Sequence, residues 1–368
     1  MYTEIVKIIE GALVNDKEKV VNYAEVLANN LDKQGETSLA KKIRTTLNKK
    51  KGTLTALDSF STKPVDTESR MDIVEVTTPQ IIPEHVVLDQ YSSALIRNFI
   101  DSYTHRDLLF QSGLEVSNTL LLYGPPGCGK TTVAQCIASI TGLPLVTARL
   151  DGLVSSLLGS TAKNIRKIFD YASKRECILF LDEFDVIAKL RNDKNELGEL
   201  KRVVNSLLQN IDGFNNDSIL IAATNHHELL DPAIWRRFST IVALEKPQRS
   251  EIVRYLKIFL ANNSTNFISV EKKNEQIVGA LEGLSYSDIR TIIINALKAV
   301  VLSGRKNLTN CDILKSIYLY KRHAVESEDK FIAFLLNNGV THKEANEILG
   351  IPLRKIQTIS KSLERKEV

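Results

Sequence analysis

A glycine-rich stretch of the chain contains the residue types that bind phosphate groups. It consists of Gly124, Pro125, Pro126, Gly127, Cys128, Gly129, Lys130, Thr131 and Thr132. The glycines allow consecutive backbone N–H groups to face one anion, and a helix N-terminus directly after them adds its positive dipole. In this pattern we expect Lys130 to reach the β- and γ-phosphates and Thr131 to bind Mg²⁺. The stretch therefore predicts a nucleoside triphosphate site.

Two acidic residues directly follow an apolar run that is typical of a buried strand. The run occupies residues 178–181, and Asp182 and Glu183 come after it. Parallel strands present functional groups at their carboxyl ends, which is also where a phosphate-binding loop lies. We expect Asp182 to bind Mg²⁺ and Glu183 to polarise the attacking water. The alternative is a pair of solvated acids, but the interval from the loop has room for a helix, a strand and a helix.

Polar residues further along the chain predict additional contacts with the phosphates. Asn225 ends the segment 219–225, and we expect it to bond the γ-phosphate or the attacking water. An ordinary turn role is the alternative for this asparagine. Arg236 and Arg237 lie between bulky apolar residues and are expected to deliver charge to a phosphate. A surface ion pair is the alternative for the arginines.

The composition is that of a globular chain and limits the functional classes. The 368 residues have a formal charge of +4, and 43% of them are hydrophobic. This charge is too small to predict nucleic-acid binding by itself. No apolar run reaches the roughly 18 residues that span a membrane, and the N-terminus lacks the features of a secretory signal. Because the four cysteines have no paired spacing, we expect a cytoplasmic protein without disulfides or a zinc site.

The order of elements predicts an α/β fold with helical additions. Apolar runs alternate with helical segments between residues 82 and 245, which is typical of a parallel sheet covered on both faces. The predicted strands are Leu120–Tyr123, Pro144–Ala148, Cys177–Leu181, Ser218–Ala223 and Ser239–Leu244. We predict a nucleotide-binding domain at 82–245 and a helical lid at 246–325. A helical docking module at 1–50, a linker at 51–81 and a short helical tail at 326–368, expected as a separate unit, complete the chain.

These motifs together resemble the AAA family of ATPases. The resemblance rests on the loop 124–131, the pair 182–183, Asn225 and the sequence 236–238, and it covers about residues 84–322. Their order and spacing are most similar to the branch that contains katanin and spastin. The resemblance implies a large α/β domain followed by a helical lid.

The resemblance also implies an assembly and an activity. It implies a homo-hexameric ring with ATP bound between subunits, which uses hydrolysis to remodel, unfold or disassemble a protein. Arg236 and Arg237 would then reach the ATP of the neighbouring subunit, and Asn225 would sense the γ-phosphate. A nucleotide-switched scaffold without mechanical work is less favoured, because such a switch has less need of a complete hydrolytic set.

Several positions bear on how closely the chain follows the family pattern. Tyr286 stands where the lid motif has a small residue close to the nucleotide. Leu157 stands in the pore loop that grips substrate, where an aromatic residue is usual and gives more flat contact area. A second pore-facing loop is expected around residues 196–201. Arg290 lies one turn into a lid helix, and we assign it no nucleotide role.

The tail has a pattern that is typical of a helix-turn-helix. Gly350 separates a helical segment at 341–349 from a second one that contains Arg354 and Lys355 near its start. The second helix of such a motif presents its N-terminal residues to the major groove. Asn346 occupies a position that favours a small apolar residue, so a protein-docking tail is preferred. A DNA-associated ATPase or regulator is the alternative function.

Overall fold

The computed structural model describes most of the chain, with gaps between the described ranges. The described residues are 17–33, 40–41, 44, 63–66, 72–78, 86–114, 116, 118–150, 158–185, 197–214, 217–324 and 327–364. The chain divides into two compact units, Met1–Pro64 and Val65–Val368. In the first unit, helix α1 (Lys17–Lys33) buries Ala28 and Leu31 in a small cluster with Ala40. Leu157 and residues 151–156 before it lie outside the described residues.

A six-stranded sheet organises the second unit. Its strands are β1 (Glu75–Thr77), β2 (Thr119–Tyr123), β3 (Leu145–Arg149), β4 (Ile178–Asp182), β5 (Ile219–Thr224) and β6 (Thr240–Ala243). They lie in the order β1-β3-β4-β5-β2-β6, and all neighbouring pairs are parallel except β1 with β3. The sheet confirms the predicted α/β fold class. Because β4, β5 and β2 are neighbours, their carboxyl ends meet at one edge, where such sheets bind ligands.

The burial of the strands explains which of them could be predicted. Strand β5 is buried at every position, and Leu120 to Leu122 of β2 are fully buried. A parallel sheet covered on both faces requires such continuous apolar strands. Strand β1 lies instead within residues 51–81, which the sequence assigned to a linker. It has only three residues at the sheet edge, so it produces no recognisable alternation.

Helices alternate with these strands along the chain. They are α2 (Gln90–Thr104), α3 (Arg106–Gln111), α4 (Lys130–Thr141), α5 (Leu158–Ala172), α6 (Leu197–Asp212) and α7 (Pro232–Trp235). Residues 197–201, which were expected in a second pore-facing loop, belong to α6. In that helix Val203, Leu207 and Ile211 recur every four residues and are buried. This helical spacing of apolar residues stabilises the segment as a helix, so the expectation of a loop at 197–201 was wrong.

A helical bundle follows the sheet. Its helices are α8 (Arg249–Phe259), α9 (Glu271–Leu281), α10 (Tyr286–Leu302), α11 (Asn310–Arg322), α12 (Glu328–Asn337), α13 (His342–Leu349) and α14 (Leu353–Glu364). A short parallel pair of strands, β7 (Ser264–Thr265) and β8 (Asn307–Leu308), lies among them. We call helices α8 to α11 the lid and helices α12 to α14 the tail.

The lid and the tail share one hydrophobic core. Buried side chains of α9, α10 and α11 form one cluster with those of α12, α13 and α14. Tyr318 of α11 contacts the rings of Phe331 and Phe334 at centroid distances of 5.0 and 5.3 Å. Lys273 of α9 forms an ion pair with Glu344 of α13 at 2.6 Å. The tail is therefore not the separate unit that the sequence suggested, since three short helices bury their apolar faces better against the lid.

The structure describes the state of the four cysteines and the apolar character of the helices. All four cysteines are free, and Cys128, Cys177 and Cys311 are buried. Burial raises the pKa of the Cys177 and Cys311 thiols to about 12, so both are weak nucleophiles. None of the helices that the structure describes combines the length and the apolar character needed to cross a bilayer.

Candidate functional site

The glycine-rich loop connects β2 to α4 and has close neighbours on both sides. Gly124 has a φ of 142°, and a Cβ there would lie 2.2 Å from the Leu244 carbonyl oxygen. Gly127 has a φ of 76°, and a Cβ there would lie 2.5 Å from Ser285 Oγ. Both positions therefore require glycine, for the backbone conformation and for space.

The N-terminus of lid helix α10 is hydrogen-bonded to this loop. The Ser287 N–H donates to the Gly127 carbonyl oxygen at 3.1 Å. One residue earlier than the helix, Ser285 forms a capping box with Asp288. The Tyr320 hydroxyl of α11 donates to the same Asp288 carboxylate at 2.5 Å. The lid thus contacts the loop through the turn that begins α10, and α11 braces that turn.

Lys130, the first residue of α4, points its ammonium group back into the loop. Its side chain is buried, and Nζ donates to the carbonyl oxygens of Gly124 at 2.7 Å and Pro125 at 2.9 Å. Burial lowers the pKa of Lys130, while the nearby Cys128, Asp182 and Asp185 raise it. A buried cation held by carbonyl oxygens is well suited to exchange them for phosphate oxygens.

Two acids lie at the carboxyl end of β4, and a third lies just beyond them. The Glu183 N–H donates to Asp182 Oδ1 at 2.9 Å. Glu183 has a φ of 54°, a left-handed conformation that is strained for a side chain of this kind. Asp185 is buried and accepts a hydrogen bond from Thr224 Oγ1 of β5 at 3.2 Å. The Glu183 side chain is exposed.

A cavity of about 620 Å³ brings most of the predicted residues together. Its lining includes Pro126 to Thr132 of the loop, Asp182, Glu183 and Asn225. These residues come from the ends of three neighbouring strands, β2, β4 and β5. The volume lies within the range of about 300–1,000 Å³ that is usual for small-molecule sites. Gly124 and Pro125 are not part of the lining, and they contribute instead through their bonds to Lys130.

The other end of the cavity is apolar and aromatic. It is lined by Val86 to Leu88, Tyr255, Phe259 and Tyr286. The Tyr255 and Tyr286 rings are 5.3 Å apart at an interplanar angle of 59°. Burial raises the pKa of the Tyr286 hydroxyl, so this group stays neutral. The cavity lining therefore combines polar groups that suit phosphates with apolar and aromatic side chains.

The two adjacent arginines lie outside this cavity lining, and their surroundings differ. Arg237 forms an ion pair with Asp212 at 2.8 Å, and its Nη1 donates to the Ala233 carbonyl oxygen at 2.7 Å. Arg236 is exposed, and its side chain forms neither a hydrogen bond nor an ion pair with any residue that the structure describes. Of the two arginines, Arg236 can therefore bind a group outside the chain without losing an existing side-chain contact, whereas Arg237 cannot.

Some residues of the site were not predicted from the sequence. Arg290 lines the cavity, although the sequence assigned it no nucleotide role. It lies four residues after Tyr286 on α10, and residues at this spacing share one helix face. That spacing was a signal that could have found it. Asp185 and Tyr255 gave no such signal, since burial and packing between separate elements decide their position.

The fold and the cavity define a class of protein. A parallel sheet has a glycine loop at the end of one strand, and acids at the end of a second strand, facing the same cavity. That is the arrangement of a phosphate-loop nucleotide-binding protein. Residues 120–246 match the family described as ATPase family associated with various cellular activities (AAA).

The relatives extend this match beyond the sheet. An uncharacterized AAA family ATPase of Sinorhizobium fredii is 39% identical over 250 residues, which cover 68% of this chain and 74% of that protein. The chain therefore belongs to the AAA family of ATPases. It binds ATP and hydrolyses it, as the family does.

Other relatives are more distant and longer. Protein SAV of Sulfolobus acidocaldarius is 28% identical over 273 residues, covering 70% of this chain and 34% of that protein. A proteasome-activating nucleotidase of Methanoregula boonei is 32% identical over 220 residues, covering 57% of this chain and 49% of that protein. The chain thus spans half or less of these two proteins. The relatives include proteasome-activating nucleotidases, so membership of the katanin and spastin branch stays a prediction.

Proposed function

We propose that the chain forms a homo-hexameric ring that uses ATP hydrolysis to remodel, unfold or disassemble a protein substrate. The observation that carries this proposal is the division of the hydrolytic residues. Lys130, Asp182, Glu183 and Asn225 serve one cavity, whereas Arg236 is exposed outside it. An arginine in that position can serve the ATP of a neighbour in a head-to-tail ring. The proteasome-activating nucleotidases among the relatives support a protein substrate, since their name links nucleotide chemistry to a proteolytic machine.

We assign Mg²⁺ to the polar end of the cavity. Thr131 and Asp182 both line it and offer a hydroxyl and a carboxylate oxygen. Mg²⁺ prefers oxygen ligands and is usually held by one or two protein groups together with substrate phosphates. The donor set therefore fits this ion, and Thr131 and Asp182 would hold it. When bound, Mg²⁺ neutralises charge on the phosphate oxygens.

The remaining polar residues have separate roles in the proposed hydrolysis. The Glu183 carboxylate orients the attacking water and accepts a proton from it. Asn225 bonds the γ-phosphate or that water from the neighbouring strand end. The Lys130 ammonium leaves the carbonyl oxygens of Gly124 and Pro125 and binds the β- and γ-phosphates. Arg236 of the adjacent subunit then stabilises the charge of the transition state.

The aromatic end of the cavity is the proposed adenosine site. Tyr286 and Tyr255 offer ring faces for the base, and Arg290 adds a cation at the same side. Tyr286 occupies the position where a smaller residue was expected. We infer that its ring stacks against the base or its sugar, which compensates for the space that it takes.

Replacing Tyr286 by alanine is expected to raise the KM for ATP by about 3- to 10-fold, since an aromatic pair contributes about 0.5–1.5 kcal/mol. The kcat should stay within about two-fold, because Tyr286 has no assigned part in the hydrolytic step. Steady-state ATPase kinetics measure both constants. Tyr286→Phe is the matched control and should keep the parent KM, since it retains the ring. A KM that is unchanged in Tyr286→Ala would exclude Tyr286 from the nucleotide site.

The ring and its substrate can be tested together with Glu183→Gln. In sedimentation velocity with ATP and Mg²⁺, this variant should form a species of about six times the 41.2 kDa chain mass. The same species should bind fluorescent casein, a permanently unfolded protein, more tightly with ATP than with ADP. The Lys130→Ala variant, which lacks the phosphate contact, serves as the control. If the variant stays monomeric under all nucleotide conditions, the proposed ring is wrong. If it forms a hexamer that does not bind casein, the proposed protein substrate is wrong.

Two parts of the proposal concern segments that lie largely outside the described ranges. We infer that the module at 1–50 recruits the substrate and that the loop around Leu157 grips it in the pore. An aliphatic residue can wedge against a peptide, although with less flat area than an aromatic one. We also propose a cytoplasmic location, which the four free cysteines support.

A further inference from the structure

The end of the tail has the element order of a helix-turn-helix. Helix α13 ends at Gly350, which has a φ of 69°, and α14 begins three residues later. The Asn346 side chain donates from Nδ2 to the Ile351 carbonyl oxygen at 2.7 Å. Ala345 is small and buried in the same core cluster as Ile356, which suits close packing of α13 and α14. Asn346 therefore fixes the turn, and the sequence-based reason against such a motif no longer holds.

Helix α14 exposes one continuous polar stripe. Arg354, Gln357, Thr358 and Lys361 are all exposed, and they recur at positions i, i+3, i+4 and i+7. Residues at this spacing lie on one face of a helix. On the other face, Ile356 is fully buried in the shared core of lid and tail. The stripe therefore stands away from the core.

Arg354 and Lys361 give the stripe two positive charges, and several acids nearby are paired with other cations. Each acidic residue with a described side chain in α13, and the first one of α12, already has a cationic neighbour. The pairs are Glu344 with Lys273, Glu347 with Lys343, and Glu328 with Lys355. Arg354 and Lys361 form no ion pair within the described ranges. Their charges are therefore available to an anionic partner.

The chemistry of the stripe distinguishes between two kinds of partner. Protein interfaces have an apolar or aromatic centre. Among the described side chains of α14, only Leu353 is apolar and exposed. Arginine and lysine beside glutamine and threonine match instead the phosphates and base edges of a duplex, and the start of a second helix is the part that enters the major groove.

We propose that α14 is a binding helix for duplex DNA. Arg354 and Lys361 contact backbone phosphates, and Gln357 and Thr358 face base edges in the major groove. This gives the ATPase a nucleic-acid ligand in addition to the protein substrate of the proposed function. The site is built entirely from the tail and does not include any residue of the nucleotide cavity.

The test measures the affinity of the full-length chain for a fluorescein-labelled DNA duplex of mixed sequence, by anisotropy at several salt concentrations. The double substitution Arg354→Ala and Lys361→Ala should raise Kd by at least about 10-fold near 0.1 M salt. It should also reduce the slope of log K against log salt by about two, since two phosphate contacts are lost. The ATPase activity without DNA should not change. Lys257→Ala with Lys298→Ala removes the same charge from exposed positions of the lid and is the matched control.

Three results would overturn the proposal. The first is the absence of duplex binding by the parent chain at about 10 μM, a concentration at which even non-specific DNA binding is often measurable. The second is an equal loss of affinity in the tail variant and the lid control. The third is a tail variant that binds DNA like the parent but loses fluorescent casein, which would make the stripe a protein-docking surface. Parent-like ATPase activity and thermal melting show that the tail variant is folded.

Discussion

Glu183→Gln is expected to lower kcat for ATP hydrolysis by about 10²–10⁴-fold, the usual contribution of a positioned general base. Glutamine keeps the size and the hydrogen-bonding reach of the side chain but cannot accept a proton from water. Asp182 and the loop are unaffected, so the affinity for ATP should stay within about two-fold. Single-turnover hydrolysis and binding of a fluorescent ATP analogue measure the two quantities separately.

The control for this prediction is another exposed glutamate close to the site. Glu228 lies three residues after Asn225, bonds the His226 ring at 3.1 Å and does not line the cavity. Glu228→Gln should hydrolyse ATP at the parent rate. If Glu183→Gln also did so, the assignment of Glu183 as the base would be wrong, and the buried Asp185 would be the next carboxylate to examine.

Arg236→Ala is expected to lower kcat by about 10³-fold or more, because an arginine that acts in trans contributes about 10³–10⁵ to phosphoryl transfer. The nucleotide cavity of the variant chain stays complete, so ATP binding should persist. Arg237→Ala should have a smaller effect on kcat and a modest effect on stability, of about 1 kcal/mol or less, since it breaks a partly exposed ion pair with Asp212. Comparing the two variants identifies which arginine serves the reaction.

Mixing variants tests whether the site is shared between subunits. In an equimolar mixture of Arg236→Ala and Lys130→Ala chains, about one interface in four combines an intact loop with an intact arginine from its neighbour. The mixture should therefore recover a fraction of the parent activity, although each variant alone is inactive. If the mixture forms hexamers by sedimentation but recovers no ATPase activity, the active site is not completed by the neighbouring subunit.

The sequence was most informative where a local pattern determines the structure. The five predicted strands are present in the structure, because parallel strands covered on both faces are apolar throughout. The glycine-rich loop, the two acids and Asn225 could be predicted as cavity residues because each of them directly follows or ends such a strand. The edge strand Glu75–Thr77 was missed because three exposed-edge residues have no period. The loop expected at 197–201 was wrong because the apolar spacing of α6 begins within it.

Features that depend on packing between distant elements could not be predicted. The tail was expected to be a separate unit. In the structure it packs against the lid, where Tyr318 contacts Phe331 and Lys273 forms an ion pair with Glu344. The difference between Arg236 and Arg237 is of the same kind, since it depends on Asp212 at the end of another helix. Asn346 is the clearest case. Its polar side chain counted against a close turn, and in the structure it bonds the carbonyl that closes that turn.

The shared core of lid and tail has a mechanical consequence. The turn that begins α10 bonds Gly127 of the phosphate loop, and the same bundle contains α14 at its far end in sequence. Closely packed cores move as rigid bodies rather than deforming continuously. A rotation of the lid on nucleotide exchange would therefore carry α14 with it as the outer end of a lever. Each ATP turnover would then move α14 together with the ligand that it binds.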